Sequence, residues 1–205
     1  VPLWEYVAFQ LAGMDGISVP PSRLERIAGK NVLLVGRFDR DGEERIPFVS
    51  AMTMLGARDG DHRSYVEIAE ILRAAGSAPR RDMAELWRRM AFNMMISNVV
   101  DHLRNHGFLR DAEGRGWKLS PVYDLETSPP SHKAPIHHTY ITLDVGTSSL
   151  DLAFSGAREF GLAAQEAKDI AAEVGEAVSR WREVARKAGA SEKDVDMLED
   201  AFRWR

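Results

Sequence analysis

Apolar residues recur at Leu3, Val7, Leu11 and Met14, a spacing of three and four that predicts a helix stopped by Gly13 or Gly16. After a turn at residues 17–21, residues 31–35 (Asn-Val-Leu-Leu-Val), with four apolar residues in a row, predict a short, fully buried strand. Residues 39–43 are a polar turn, and residues 45–49 a weaker second strand. The charged, Gly-rich stretch 56–64 reads as a mobile loop. Helical periodicity then returns, at Val66, Ile68, Ala69 and Leu72, and again at Met83, Leu86, Trp87, Met90, Met94 and Ile96 within residues 82–97. The methionines suit core packing better than a cofactor box. Phe108 and Leu109 begin a short strand, residues 111–116 turn, and Trp117–Leu119 returns antiparallel. Residues 128–135 form a loop, and residues 139–143 a strand. Ile170, Val174, Val178, Trp181 and Ala185 share one helix face, and Ser191 with Asp194 opens a last helix as a capping box. No internal repeat, low-complexity tract or linker divides the chain.

The 205 residues suffice for one large domain, or a domain with a small lobe. The formal net charge is −4 and no long basic stretch occurs, so composition offers no support for direct nucleic-acid binding. Cysteine is absent, which excludes disulfides and thiolate metal sites and suits a reducing, cytoplasmic compartment. No apolar run approaches the roughly 18–20 residues of a membrane span. The chain opens at Val1 with neither an initiating Met nor a signal-like segment, and reads as a piece of a longer or processed protein.

The candidate chemistry lies where the helix of residues 82–97 runs into Asn98-Val-Val-Asp-His-Leu-Arg-Asn-His-Gly-Phe-Leu109, and in Leu119-Ser-Pro-Val-Tyr-Asp-Leu125. Phosphoryl transfer requires metal held against phosphates, an aligned acceptor hydroxyl and neutralisation of developing charge. Asn105 and Asp124 offer the oxygen ligands that Mg2+ prefers, and the hairpin between the two motifs brings them together. Arg104 can meet a terminal phosphate, and His102 can orient its neighbours. Taken alone, Asp101-His102 is a surface acid and an imidazole tightening a turn, and Tyr123-Asp124 a strand end or helix cap. Joined by a hairpin of the right length, they favour the site. The position five before Asn105, where such a loop carries its proton acceptor, is Val100. The histidines at 102, 106, 132, 137 and 138 fit no standard zinc spacing.

The string Ser97 to Leu109 resembles the catalytic loop of HipA-like serine/threonine kinases, the toxin halves of bacterial toxin–antitoxin pairs. Val35-Gly-Arg-Phe-Asp-Arg40 resembles that family's hinge, Ser64 to Leu72 its following helix, Leu119 to Leu125 its metal loop, and Trp181 to Ala185 its C-terminal helix. The five strings occur in order over nearly the whole chain. The resemblance implies an α+β, mainly α fold: a protein-kinase-like large lobe over residues 41–205, with a remnant of the small lobe and the hinge in residues 1–40. It implies ATP and Mg2+ as cofactors, with Asn105 and Asp124 on the metal. His102, Arg104 and Tyr123 would line the nucleotide pocket, and Gly36, Arg37 and Phe38 would form the adenine-facing hinge. Glu5 resembles the residue that pairs with a nucleotide-binding lysine.

Two departures qualify these implications. The family's loop has two acids before the histidine and the first is the proton acceptor; here only the second, Asp101, remains as a candidate catalytic residue. If Asp101 cannot take that role, the expected loss is of order 10²–10⁴-fold. The family's phosphate-covering loop and lysine strand have no counterpart in residues 1–40, since Lys30 follows Glu5 in the wrong order. The leading expectation is a kinase acting on a protein of the translation machinery and restrained by a DNA-binding, HipB-like antitoxin. The competing expectation is a pseudokinase kept as a binding module. A small-molecule kinase fits the hinge and the Gly-Phe-Leu continuation poorly.

Overall fold

The computed structural model describes residues 2–127 and 136–202, so the loop expected at 128–135, with His132, lies outside the described residues. Helix α1 (Pro2–Met14) buries Leu3, Val7, Phe9 and Leu11. It leads to an antiparallel hairpin of β1 (Ser22–Ile27) and β2 (Lys30–Val35), in register from Ser22↔Val35 to Ile27↔Lys30. Both turn residues have positive φ, Ala28 at 49° and Gly29 at 78°, which matches the right-handed twist of the strands. Strand β1 lacks the alternation that would have marked it in the sequence.

The expectation of a fully buried strand at 31–35 is corrected. Among the described residues β2 pairs with β1 alone, and Leu34 and Val35 are exposed. An unbroken apolar run reports hydrophobicity, whereas burial depends on what covers each face.

Strands β3 (Arg40–Asp41) and β4 (Glu44–Arg45) form a small hairpin where the polar turn was expected. Strand β5 (Phe48–Ser50) runs into the short helix α2 (Ala51–Met54), whose first turn is capped by Ser50. Strand β6 (Arg63–Ser64) closes the charged loop. Helix α3 (Tyr65–Ala75) starts on a capping box between Ser64 and Glu67. Helix α4 (Pro79–Met95) begins three residues before the expected Asp82, because a proline is well suited to the first turn.

The expected hairpin is present: β7 (Gly107–Arg110) and β8 (Trp117–Leu119) pair antiparallel with Phe108 opposite Leu119. Strand β5 adds to β7 and completes a three-stranded sheet. Strand β9 (Thr139–Tyr140) is shorter than the expected 139–143 and pairs in parallel with β6, Arg63 opposite Thr139.

Four helices complete the chain: α5 (Leu150–Ser155), α6 (Ala164–Ser179), α7 (Trp181–Lys187) and α8 (Glu192–Leu198). The single helix face expected from Ile170 to Ala185 is divided, since Arg180 has φ −83° and ψ 5° and ends α6. The bend places Trp181 against Phe202, with ring centroids 4.4 Å apart and planes within 6°. Trp4 of α1 packs on both rings, so tertiary aromatic contacts override a continuous helical period. The capping box of α8 forms as expected, with Asp194 accepting from the Ser191 amide at 2.9 Å. One apolar core runs from Leu3 to Phe202, and the fold is α+β, mainly α.

Candidate active site

Helix α4 carries three polar residues on its inward side, at a spacing of seven and four that places Asp82, Arg89 and Asn93 on one face. All three are buried, and each is tied to a loop. Asp82 accepts from the Leu119 amide at 3.0 Å. Arg89 donates to the Ser120 carbonyl at 2.7 Å and to Glu85. Asn93 accepts the Asn98 backbone amide on its own carbonyl at 2.8 Å, and the Asn98 side-chain amide on Oδ1 at 3.1 Å. One helix face therefore anchors both loops that carry the candidate chemistry.

The network continues inward. Asn93 donates to the Tyr65 hydroxyl at 3.0 Å, and that hydroxyl donates to Asp101 Oδ2. The same Asp101 oxygen lies 2.8 Å from His106 Nε2. Burial pushes the Asp101 carboxyl up, but the His106 ring and the Tyr65 hydroxyl outweigh it and hold the group below the usual carboxylate range. Burial, with the Asp101 charge beside it, drives the Tyr65 phenol well above its ordinary value. Asp101, the candidate catalytic residue, is thus turned into the interior and 3% exposed; its place is that of a buried anchor for the loop.

Asn105 ends a 3-10 turn (Leu103–Asn105), and its Nδ2 lies 3.4 Å from the Asp124 carbonyl. The two residues are neighbours, as the hairpin requires, and Asn105 Oδ1 is the amide atom left for a cation. Asp124 is exposed and has φ 57°, a left-handed backbone that Asp tolerates better than most side chains. Its amide hydrogen-bonds the Glu5 carboxylate, whose pKa is raised by burial and then by the Asp124 charge. Glu126 adds a further repulsion. An amide oxygen and a carboxylate are oxygen donors of the kind that Mg2+ prefers.

The other candidate residues divide between two clefts. Gly36, Arg37, Phe38 and Tyr123 line an apolar cleft of about 420 Å³ together with Phe48. Phe38 and Tyr123 stand 5.5 Å apart by ring centroid, and Phe48 lies 6.0 and 6.3 Å from them. The Gly36 amide donates to the Pro21 carbonyl at 2.7 Å, so that N–H is already engaged within the protein. Gly107 explains the glycine of the loop motif, because a Cβ there would stand 2.2 Å from the Phe48 ring.

His102 and Arg104, expected beside the nucleotide, line a second cleft of about 440 Å³ with residues 58–62, 136–138 and Tyr140. Arg104 pairs there with Asp59, while its carbonyl accepts from the Tyr123 hydroxyl at 2.5 Å. The loop of residues 102–105 is therefore the partition between the two clefts.

Comparison with known proteins supplies the family. The model of the HipA-like C-terminal domain matches residues 1–181. This chain belongs to that family. A protein of Sinorhizobium fredii named "Putative kinase Y4dM" is 30% identical over 124 residues, covering 59% of this chain and 29% of its own length. One of Haemophilus influenzae, named "Putative kinase", is 25% identical over 141 residues, 62% of this chain and 41% of its own. HipA of Shewanella oneidensis, solved with HipB and operator DNA, superposes with a TM-score of 0.73 at 16% identity, over 97% of this chain and 52% of its own. The proinflammatory kinase CtkA of Helicobacter pylori superposes at 0.55 and 14% identity, over 97% and 84%. The chain thus spans less than half the length of these two curated relatives.

Several working parts of this HipA-like domain escaped sequence reasoning: Tyr65, Asp82, Arg89, Asn93 and His106 in the buried network, and Phe48 in the aromatic cleft. A signal existed only for α4, where three polar residues interrupt the apolar face at helical spacing. Tyr65 resembles any core aromatic until its hydroxyl is seen beside Asp101.

Proposed function

We propose that this HipA-like domain is the large lobe of a serine/threonine protein kinase that uses ATP and Mg2+. The observation that carries this reading is the adjacency of Asn105 and Asp124, the latter following Tyr123 of the aromatic cleft in the chain. On this reading residues 1–40 are the hinge and the remainder of the small lobe, and residues 41–205 the large lobe. Phe38, Phe48 and Tyr123 would hold the base, with backbone groups of Arg37 and Phe38 within the same cleft. Bound Mg2+ draws charge from the phosphates and aligns them. Asn105 Oδ1 and the Asp124 carboxylate hold the metal, and the network through Asp101, Tyr65 and Asn93 keeps their loop rigid. His102 and Arg104 act from the second cleft, where a protein acceptor reaches the loop.

The partner and compartment follow the same reading. A neighbour in fold was solved as a complex of HipA, HipB and operator DNA, which supports a HipB-like, DNA-binding antitoxin as partner. A translation-machinery protein is the proposed acceptor and the cytoplasm the proposed location. Among the described residues no helix is long and apolar enough to cross a membrane. Val100 favours a second reading, a pseudokinase that binds nucleotide or antitoxin without transfer.

Calorimetric titration of Mg·ATP into the chain and into Asp124→Asn tests the metal site. Asn tolerates the left-handed backbone, so the change removes charge with little strain. A tenfold or greater loss of Mg-dependent affinity is expected. Equal affinity in both proteins refutes the kinase reading; binding without transfer favours the pseudokinase, and binding in neither calls for the same titration with the upstream phosphate-covering and lysine-bearing segment added in trans.

A further inference from the structure

The chain has valine where a phosphoryl-transfer loop of this kind needs a proton acceptor, and its remaining acid is sealed in the interior. The backbone on either side of that valine is held by one short segment. The His138 amide donates to the Val99 carbonyl at 3.1 Å, and the Thr139 amide donates to the Asp101 carbonyl at 3.0 Å. His138 is therefore laid directly alongside position 100. Its side chain is exposed and lines the second cleft together with His102 and Arg104. We propose that His138 is the catalytic base of this chain, an imidazole supplied from the neighbouring segment in place of the acid missing at Val100.

This inference rests on the kinase reading and names the group that completes it. In the step, an imidazole nitrogen of His138 takes the proton of a serine or threonine hydroxyl. The hydroxyl oxygen forms a bond to the terminal phosphorus of the nucleoside triphosphate. The bond from that phosphorus to its bridging oxygen breaks, and the nucleoside diphosphate leaves with the electron pair. The imidazolium then returns its proton to water. An imidazole has an ordinary pKa near 6.5, which suits a base at neutral pH better than a carboxylate does.

The other imidazoles of the cleft are less suited. His137 is buried with Nε2 3.2 Å from Ser148 Oγ, and burial, despite the Asp101 charge, lowers its pKa to about 4. His102 has its Nδ1 enclosed and unpartnered. His62 is stacked on Tyr140 at 5.0 Å. The charged groups sharing the cleft are Arg58, Asp59, Asp61 and Arg104, with Arg104 and Asp59 paired to each other. Asp101 lies behind it and acts electrostatically on His137.

The test compares the unmodified chain with His138→Gln, Val100→Asp, the double variant and the control Lys168→Gln on the exposed side of α6, following label transfer from Mg·ATP to a serine-containing protein acceptor. The expected pattern is transfer in the unmodified chain, a drop of about 100-fold or more in His138→Gln, and recovery in the double variant. Lys168→Gln should stay within a few-fold of the starting rate. Independently of activity, the NMR signals of the His138 ring should move in Val100→Asp, because residue 100 lies alongside the His138 backbone. Unchanged transfer in His138→Gln overturns the proposal, as does an equal drop in Lys168→Gln or unmoved His138 ring signals in Val100→Asp. Transfer only after Val100→Asp overturns it while leaving the kinase reading intact. Silence in every variant overturns it too, and Mg·ATP binding then decides the kinase reading separately.

Discussion

Replacing Tyr65 by Phe removes one oxygen from the centre of the buried network and leaves the ring in place. That oxygen donates to Asp101 and accepts from Asn93 at 3.0 Å. A hydrogen bond to a charged group contributes about 1.5–3 kcal/mol, and an orphaned buried amide donor adds about 1 kcal/mol, so the loss should be about 2–4 kcal/mol. With a urea m-value of about 3 kcal/mol/M for a domain of this size, the midpoint should fall by roughly 1 M with m unchanged. Asp101→Asn supplies the other arm of a cycle, because Tyr65→Phe in that background should cost only about 1 kcal/mol. The sign with pH follows from Asp101. Its folded pKa is depressed, so its contribution is complete above the unfolded value near 3.8 and is lost as pH falls through the folded value. Tyr65→Phe should flatten that acid limb. A loss below about 0.5 kcal/mol, or a cycle that adds without coupling, would refute the claim that this hydroxyl holds the loop.

Three further outcomes follow from the same coordinates. His137 titrates at about 4 when folded against 6.5 ordinarily, so it stabilises the fold above pH 6.5, and that contribution, at most about 3 kcal/mol, drains away between pH 6.5 and 4; stability measured against pH in His137→Leu should lose this slope. Gly107→Ala should force the Phe48 ring aside, lowering stability by about 1–3 kcal/mol in thermal unfolding and weakening nucleotide binding at the aromatic cleft, whereas an unchanged Tm would show that Phe48 moves freely. Arg89→Met should unfold more readily by about 3 kcal/mol, since Glu85 and the Ser120 carbonyl lose a buried partner; proteolysis near Ser120 should rise in step, and an unaltered digest would count against the anchoring role.

Local chemistry decided what the sequence disclosed by itself. Helical period, a capping serine and a hairpin of set length act over a few residues, so α1, α3, α4, the β7–β8 hairpin and the adjacency of Asn105 and Asp124 were all legible. The two loop motifs, taken together, also pointed to the family. The tertiary structure alone decided matters that depend on distant neighbours. Leu34 and Val35 of β2 lie exposed while Val32 and Leu33 are half-buried, because burial follows what covers each face, and α6 ends at Arg180, where Trp181 packs on Phe202. Asp101 became a buried anchor once Tyr65, 36 positions earlier, reached it with a hydroxyl. The same long-range packing separated His102 and Arg104 from the aromatic cleft and set His138 beside Val100. Burial and long-range pairing arise only when the chain closes on itself, and no local pattern encodes which partner arrives.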